Sequence, residues 1–504
     1  MQKHQTNSNA VLCSLPVLLL VAVASLDFAD KQLLAASFPV LERTLHLNVE
    51  TLGYFSLFSD LSYALSVPFW GYLVHKHGIR KIFLLLSIAC ASWGGATIGI
   101  AVFGSSIVGQ AIMRSLNGWM LGSILPLSQT LLVELVPAAM RGRAFGIMTV
   151  SEKLAGTLAT TSVVYWEDHW EYPYYCLGLL SIFISWLVYR NLDPSKRSYL
   201  KHYNESESEK MRLTLRQIVQ RIARMPAFRC LVAQGVCGGT PWSMMSFQLL
   251  LLDWRGFTKD QIVSIQFTSG LAATLGGWIG GALGDYAAYR YSTQGRIMVA
   301  LVSIIGGIPV YGLFLYSTNY LWSLFFINFF HVLASWPPSA AIRPICADLT
   351  RNPSERAQIV SMWLVLEKVS AAIFGAPLVG ILTSKVLQSK DPELDHNNEE
   401  KAWVLAQLLF VLSSLFWTIC AFFWILMARS MQTRVLLQLR TEHVWGEQWF
   451  RLCLHVLLLG FTCQDWHQLQ CLYDCWKTCL GQLGSNEYRL VRAFSMSWRQ
   501  FLSL

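Results

Sequence analysis

The sequence predicts an all-α membrane protein with twelve transmembrane helices in two pseudo-symmetric six-helix bundles. Three observations carry that prediction. Of 504 residues, 54% are AVILMFWYC and only 14% are charged, whereas soluble domains carry roughly 25% charged residues. Apolar windows long enough for a ~30 Å hydrocarbon core recur twelve times. A charged motif in the first half returns in the second half, 215 residues later. With a mean hydropathy of +0.42, the composition excludes a water-soluble enzyme domain, a disordered regulator and a nucleic-acid binder.

In chain order the windows lie near 12–36, 51–73, 81–103, 106–134, 144–165 and 173–190, then 228–252, 260–284, 296–317, 319–347, 359–384 and 402–428. The expected organisation is an N-terminus of 1–11, a first bundle of 12–190, a linker of 191–227, a second bundle of 228–428 and a tail of 429–504. The run Val11 to Leu26 has the look of a signal peptide, with Ala22-Val23-Ala24 as a cleavage box. Its flank carries only Lys3, however, and helical apolar character continues past Asp27 and Asp30 to Phe38, so a first span is expected. With the N-terminus inside, the inner segments hold twenty Lys and Arg and the outer loops six. That asymmetry places both termini in the cytoplasm. It also explains the net charge of +9 without a nucleic-acid partner, and the lipid bilayer is the partner the spans require.

The tail is different. It has five Trp and five Cys, and its apolar runs are too short to span. Cys471, Cys475 and Cys479 share a helical face, yet no CxxC pair or well-spaced His accompanies them, so no metal or cofactor is expected. An interfacial or disordered tail without assigned function is the expectation. The sequence has no P-loop, HExxH site or serine-nucleophile elbow, which argues against an ATP-driven pump and against an enzyme.

The repeat reads Met140-Arg141-Gly142-Arg143 leading to Glu152-Lys153, and Glu355-Arg356-Ala357 leading to Glu367-Lys368. The loop after the second span, Gly71 to Arg80-Lys81, recurs as Gly281 to Asp285 and then Arg296. Two six-helix halves related by an axis along the membrane normal form the architecture of a secondary transporter. In these glycine–acid–basic loops and duplicated arginine loops the chain resembles the major facilitator superfamily. Asp30-Lys31, Arg114-Ser115-Leu116-Asn117-Gly118 and Gly276-Gly277-Trp278 to Gly284-Asp285 resemble its Spinster-like branch. Leu366-Glu367-Lys368 with Gly375-Ala376-Pro377 is similar to plant and protist members. The resemblance spans about residues 12–428 and implies lysophospholipid or sphingoid-type lipid as substrate, with Gly71, Arg80, Gly281, Asp285, Arg296, Arg141 and Arg356 as a conformational gate. There are two departures: His75 stands where the family pattern has Asp, and Leu121 where span four of the branch carries Glu.

Charge at membrane depth is expensive and is kept where it meets a cavity or a partner. Asp27, Asp30, Lys31, Asp60, Arg114, Glu152, Lys153, Arg343, Glu367 and Lys368 form this set. Salt bridges that hold helices in register are one account of it, and a transport pathway is the other. Asp30, beside Lys31 and a turn from Asp27, is the expected proton carrier. Arg114 is expected either to anchor an anion or to bridge to a neighbouring helix. Adjacent residues point about 100° apart on a helix, so in Glu152-Lys153 and Glu367-Lys368 one member of each pair should face the cavity. Trp336, with Trp242, Trp278 and Trp363, is a candidate for the cavity wall. Gly277, Gly280, Gly281 and Gly284 have the spacing of a helix-packing stripe. The sequence therefore points to an alternating-access carrier, proton-coupled and monomeric, for a small amphiphilic or anionic solute. The rival readings are an uncoupled facilitator of sugars or organic anions, and a non-transporting receptor or scaffold.

Overall fold

The structure, a computed structural model, describes residues 14–76, 79–136, 141–166, 169–191, 224–349, 353–390 and 397–436. The charged part of the linker, the loop acids at 391–395 and the tail cysteines lie outside these residues. So do the side chains of His75, Arg80, Arg141, Arg343 and Arg356.

Among the described residues the first half contains α1 (Leu15–Leu45), α2 (Val49–Lys76), α3 (Ile79–Val102), α4 (Ile107–Leu121), α5 (Ile124–Leu135), α6 (Arg141–Tyr165) and α7 (Glu171–Asn191). The second half contains α8 (Pro226–Met244), α9 (Gln248–Trp254), α10 (Lys259–Tyr316), α11 (Tyr320–Ala334), a π segment (Pro338–Ile342), α12 (Arg343–Asp348), α13 (Pro353–Phe374), α14 (Ala376–Lys390) and α15 (Asn398–Leu436). Among the described residues these make twelve crossings, because α4–α5, α8–α9, α11–α12 and α13–α14 are each one interrupted span and α10 supplies two. Six stretches among the described residues are long and apolar enough to be recognised as spans by composition alone; α1 falls short because it carries Asp27, Asp30 and Lys31.

α10 differs from the expected helix, loop and helix. It is helical throughout its 58 residues, yet Arg296 Nη2 lies 2.8 Å from Asp285 Oδ1. Eleven residues of straight helix would separate these positions by ~16 Å. The chain therefore reverses between Asp285 and Arg296 while staying helical, and its two limbs are spans eight and nine. Arg296 also donates to the Ala340 carbonyl at 3.0 Å, which ties the reversal to span ten.

The packing pairs repeat between the halves. α1 packs on α6 as α8 packs on α13, and α2 packs on α4 as α10 packs on α11. α3 packs on α7; its counterpart joins span nine to span twelve through Tyr311 against Trp417 and Tyr316 against Phe410. This correspondence is the pseudo-twofold relation predicted from the repeat.

Close helix approach follows a glycine stripe, in a register different from the expected one. A Cβ on Gly280 would lie 2.6 Å from Trp336 Cα, and one on Gly284 would lie 2.6 Å from Ala340 Cα. Gly276 meets the backbone of Val332 in the same way, whereas Gly277 faces open space. A spacing of four keeps one side of the helix small, so the contact runs 276–280–284.

Candidate functional site

The two halves enclose a cavity of about 400 Å³, within the size range of small-molecule sites. Its first-half wall includes Phe28, Lys31, Gln32, Ser56, Asp60, Lys153 and Thr157. Its second-half wall includes Trp242, Ser243, Gln248, Gln266, His331 and Ser335. The first wall is charged and the second is neutral but rich in hydrogen-bonding groups.

One end of the cavity is sealed between the halves. Arg43 at the end of α1 pairs with Asp253 at the end of α9, and Trp254 Nε1 donates to Glu42 Oε2 at 2.8 Å. Tyr165 at the end of α6 donates to Asp260 at the start of α10. Below these polar contacts Phe38 packs against Phe247 with tilted rings, their centroids 5.0 Å apart. Gly53 and Gly380 let α2 and α14 meet backbone to backbone: a Cβ on Gly53 would lie 3.0 Å from the Ala376 carbonyl oxygen, and one on Gly380 would lie 2.7 Å from that of Val49. Burial pushes the Glu42 carboxyl above the usual range, against the opposing pull of the Trp254 hydrogen bond and of Lys401. Burial also lowers Arg255, in the same cap, to about 10.

Asp30 is 5% exposed and lies inside the first half, behind the cavity wall. Its Oδ2 accepts from Thr97 Oγ1 at 2.6 Å and from Trp93 Nε1 at 2.8 Å, and its Oδ1 accepts from Asn117 Nδ2 at 3.1 Å. Three donors from two helices, α3 and α4, thus satisfy one carboxylate. Lys31 does not serve it. Its Nζ lies 2.7 Å from Asp27 Oδ2 and 4.4 Å from the centroid of the Tyr63 ring. The expected Asp30–Lys31 partnership is replaced by an i, i+4 pair, because residues four apart share a helix face and adjacent ones do not.

Arg114 is 2% exposed, and no carboxylate lies within ion-pair distance of it among the described residues. Its Nε donates to Gln110 Oε1 at 3.0 Å, and its guanidinium lies 5.0 Å from the Phe55 ring centroid and 6.0 Å from that of Tyr174. Its Nη2 is buried without a hydrogen-bond partner. A buried N–H group of a cation without an acceptor is costly, and Nη2 is such a group here. Asn117, one turn further along α4, donates to Asp30 Oδ1 and to Thr97 Oγ1.

Lys153 lines the cavity, its Nζ 4.5 Å from the Phe28 ring centroid. Glu152 is outside the lining. In the second half, Glu367 packs over Gly239 of α8, and Lys368 Nζ reaches back to Glu367 Oε1 at 3.6 Å. Adjacent residues therefore do pair here: the four-carbon arm of lysine overcomes the 100° offset. Trp336 lies against Gly280, its Nε1 unpartnered, while the cavity face of this span belongs to His331 and Ser335. Of the gate set, Asp285 and Arg296 pair, and Gly71 has open space around it.

The sequence reading missed Gln248, Gln266 and His331 as cavity residues. Their signal was a lone polar side chain in an apolar stretch, such as His331 in Phe329-Phe330-His331-Val332. His331 Nδ1 lies 3.0 Å from the Ile327 carbonyl. That carbonyl can only accept, so in the neutral ring Nε2 is left as an acceptor.

A family model for the Major Facilitator Superfamily matches residues 20–352. The galacturonate transporter of Dickeya chrysanthemi is 22% identical over 269 residues, covering 51% of this chain and 76% of that protein. The hexuronate transporter of Escherichia coli (strain K12) is 22% identical over 272 residues, covering 51% of this chain and 62% of that protein. A crystal structure of a bacterial homologue of the human lysosomal transporter Spinster, inward-facing and occupied, superposes with a TM-score of 0.67 at 15% identity. That superposition covers 83% of this chain and 97% of the other.

Proposed function

This chain belongs to the Major Facilitator Superfamily, and from that premise we propose that it is a proton-coupled carrier working by alternating access. Its fold is Spinster-like and it is an integral multi-pass membrane protein. Residues 12–190 and 228–428 serve as its two lobes, the single chain is the working unit, and both termini are cytoplasmic. In that orientation the Arg43–Asp253 end is the outer one, and the cavity is shut from outside.

The solute proposed first is a small organic anion. One observation carries this reading: Lys153 reaches the cavity over Phe28 with, among the described residues, no carboxylate within ion-pair distance, across from neutral donors and acceptors suited to hydroxyl groups. The galacturonate and hexuronate transporters among its relatives support the same class. A lysophospholipid or sphingoid-type lipid is the second reading, favoured by the apolar lining of Phe28, Trp242, Met245 and Leu249 and by the branch the sequence resembles. In either case Asp30 is proposed to hold the coupling proton, with Arg114 responding through Asn117. The Glu367–Lys368 pair contacts the pathway from the second half, and Asp285 with Arg296 clasps the far end.

The test is uptake into proteoliposomes of sugar acids, neutral sugars and lysolipids, with and without an imposed pH gradient. Gradient-driven accumulation of an acid supports the first reading and that of a lysolipid the second. Accumulation of none would leave a receptor or scaffold, and gradient-independent equilibration would leave a facilitator.

A further inference from the structure

Asp60 is the acid that lines the cavity. It projects from the middle of α2, and among the described residues it has no ion pair within 4.0 Å. The other carboxylates at this depth are engaged: Asp27 by Lys31 at 2.7 Å, Asp30 by three donors, and Glu367 by Lys368 at 3.6 Å. Glu152 lies outside the lining. Asp60 is faced by groups from both halves: Lys31 of α1 on its own side, and Lys368 of α13 and Ser243 of α8 from across the seam. Tyr63, one turn along α2, sits beneath Lys31.

Its position along α2 gives that charge leverage. Gly53, two turns away on α2, is where that helix meets Ala376. Ala376 opens α14 just after Gly375, where span eleven breaks, and its N–H donates to Ser243 Oγ at 3.4 Å. Asp60, Ser243 and Ala376 thus form a chain from the cavity to the root of the α2–α14 seam.

We propose that Asp60 is a proton-binding site whose negative charge holds this end shut, by drawing Lys368 and Ser243 of the second half against α2. This rests on the coupled-carrier reading above. A proton from cavity water, taken up on an Asp60 oxygen, removes the attraction to Lys368 and the anionic neighbour of Ser243. The α2–α14 seam then loses its inner anchor. Losing that proton restores the anchor.

The experiment needs no knowledge of the solute. The full chain in nanodiscs, in a cysteine-free background, carries spin labels at Ser105→Cys and Thr318→Cys, both in connections at the sealed end. Distance distributions are recorded from pH 8 down to pH 5. The wild type is expected to move from mostly short to mostly long distances as pH falls. D60N is expected to give mostly long distances throughout, K368Q to lose most of the short population at pH 8, and D60E, which keeps the charge, to retain the pH response. A D60N protein whose distances follow pH as the wild type's do would overturn the proposal, as would a D60E protein that behaves like D60N. Uptake in proteoliposomes tests the carrier reading separately. A wild type that shows the distance response but accumulates nothing removes that reading and leaves the Asp60 switch in place.

Discussion

Lys31 Nζ sits 2.7 Å from Asp27 Oδ2, one turn back along the same helix, and leaves Asp30 to the neutral donors Thr97, Trp93 and Asn117. Two carboxylates three residues apart therefore have different tasks. Asp27 fixes a cavity lysine, while Asp30 ties span one to spans three and four.

Asp30→Asn is expected to abolish pH-gradient-driven uptake and leave counterflow partly intact, because an amide keeps an acceptor for these donors but cannot exchange a proton. Asp30→Ala is expected to be destabilising as well, by on the order of 1–3 kcal/mol for each orphaned buried donor. Uptake assays and thermal melts in detergent separate the two effects. Full concentrative uptake by the Asn variant would remove Asp30 from coupling.

Lys153→Gln should weaken half-saturation for an organic acid by about tenfold or more, since a charge-assisted contact contributes ~1.5–3 kcal/mol. Transport of any neutral sugar the protein accepts should hardly change. Initial rates over a concentration series give both numbers, and equal losses for acid and neutral solutes would contradict an anion anchor.

At the sealed end, Arg43→Glu alone is expected to expose the cavity to a water-soluble thiol reagent added from that side, through a cysteine placed at Ser56. Adding Asp253→Arg should restore protection, because the reversed pair again joins α1 to α9. Labelling rates by mass spectrometry report the outcome. A double variant as open as the single one would show that the pair does not hold the seal.

Glu42 gives this cap a pH dependence of known sign. Burial raises its folded-state value above that of the unfolded chain. Its contribution is therefore fully present below the ordinary glutamate range, and it is lost as pH rises through the raised folded value. The wild type should be less stable than Glu42→Gln at pH 7.5, and the gap in melting temperature should narrow at pH 5. A gap that widens on acidification would reverse the sign.

Gly280→Ala should lower the melting temperature far more than Gly277→Ala. The first places a methyl group 2.6 Å from Trp336 Cα, and the second meets nothing within 4 Å. This contrast on neighbouring residues of one helix tests the packing register directly.

Much of the fold was legible because its signals are long-range averages. Apolar windows, the lysine and arginine asymmetry and the offset of 215 each sum over many residues. The continuous α10 was not legible: Asp285 to Arg296 reads as a polar loop, and only the Asp285–Arg296 clasp reveals that a helical chain reverses there. Site residues were legible as a class, since ionisable groups in apolar helices are rare. Their partners were not, because a partner is set by helix face and side-chain reach. Lys31 turned to Asp27 by the first, and Lys368 reached Glu367 by the second. Gln248, Gln266 and His331 carried too little charge to stand out.

The halves match in their pairings but not in stiffness. The interruption after α4, at Gly122, corresponds at the same offset to the one between α11 and α12, near Trp336-Pro337-Pro338. The breaks at Met245–Phe247 and Gly375 have no such counterparts: α1 runs unbroken past Asp30, and α6 past Thr160. A missing rung in the helical ladder lowers the cost of a bend. The second lobe therefore carries bending points that the first lacks, and two of them adjoin where Ser243 meets Ala376.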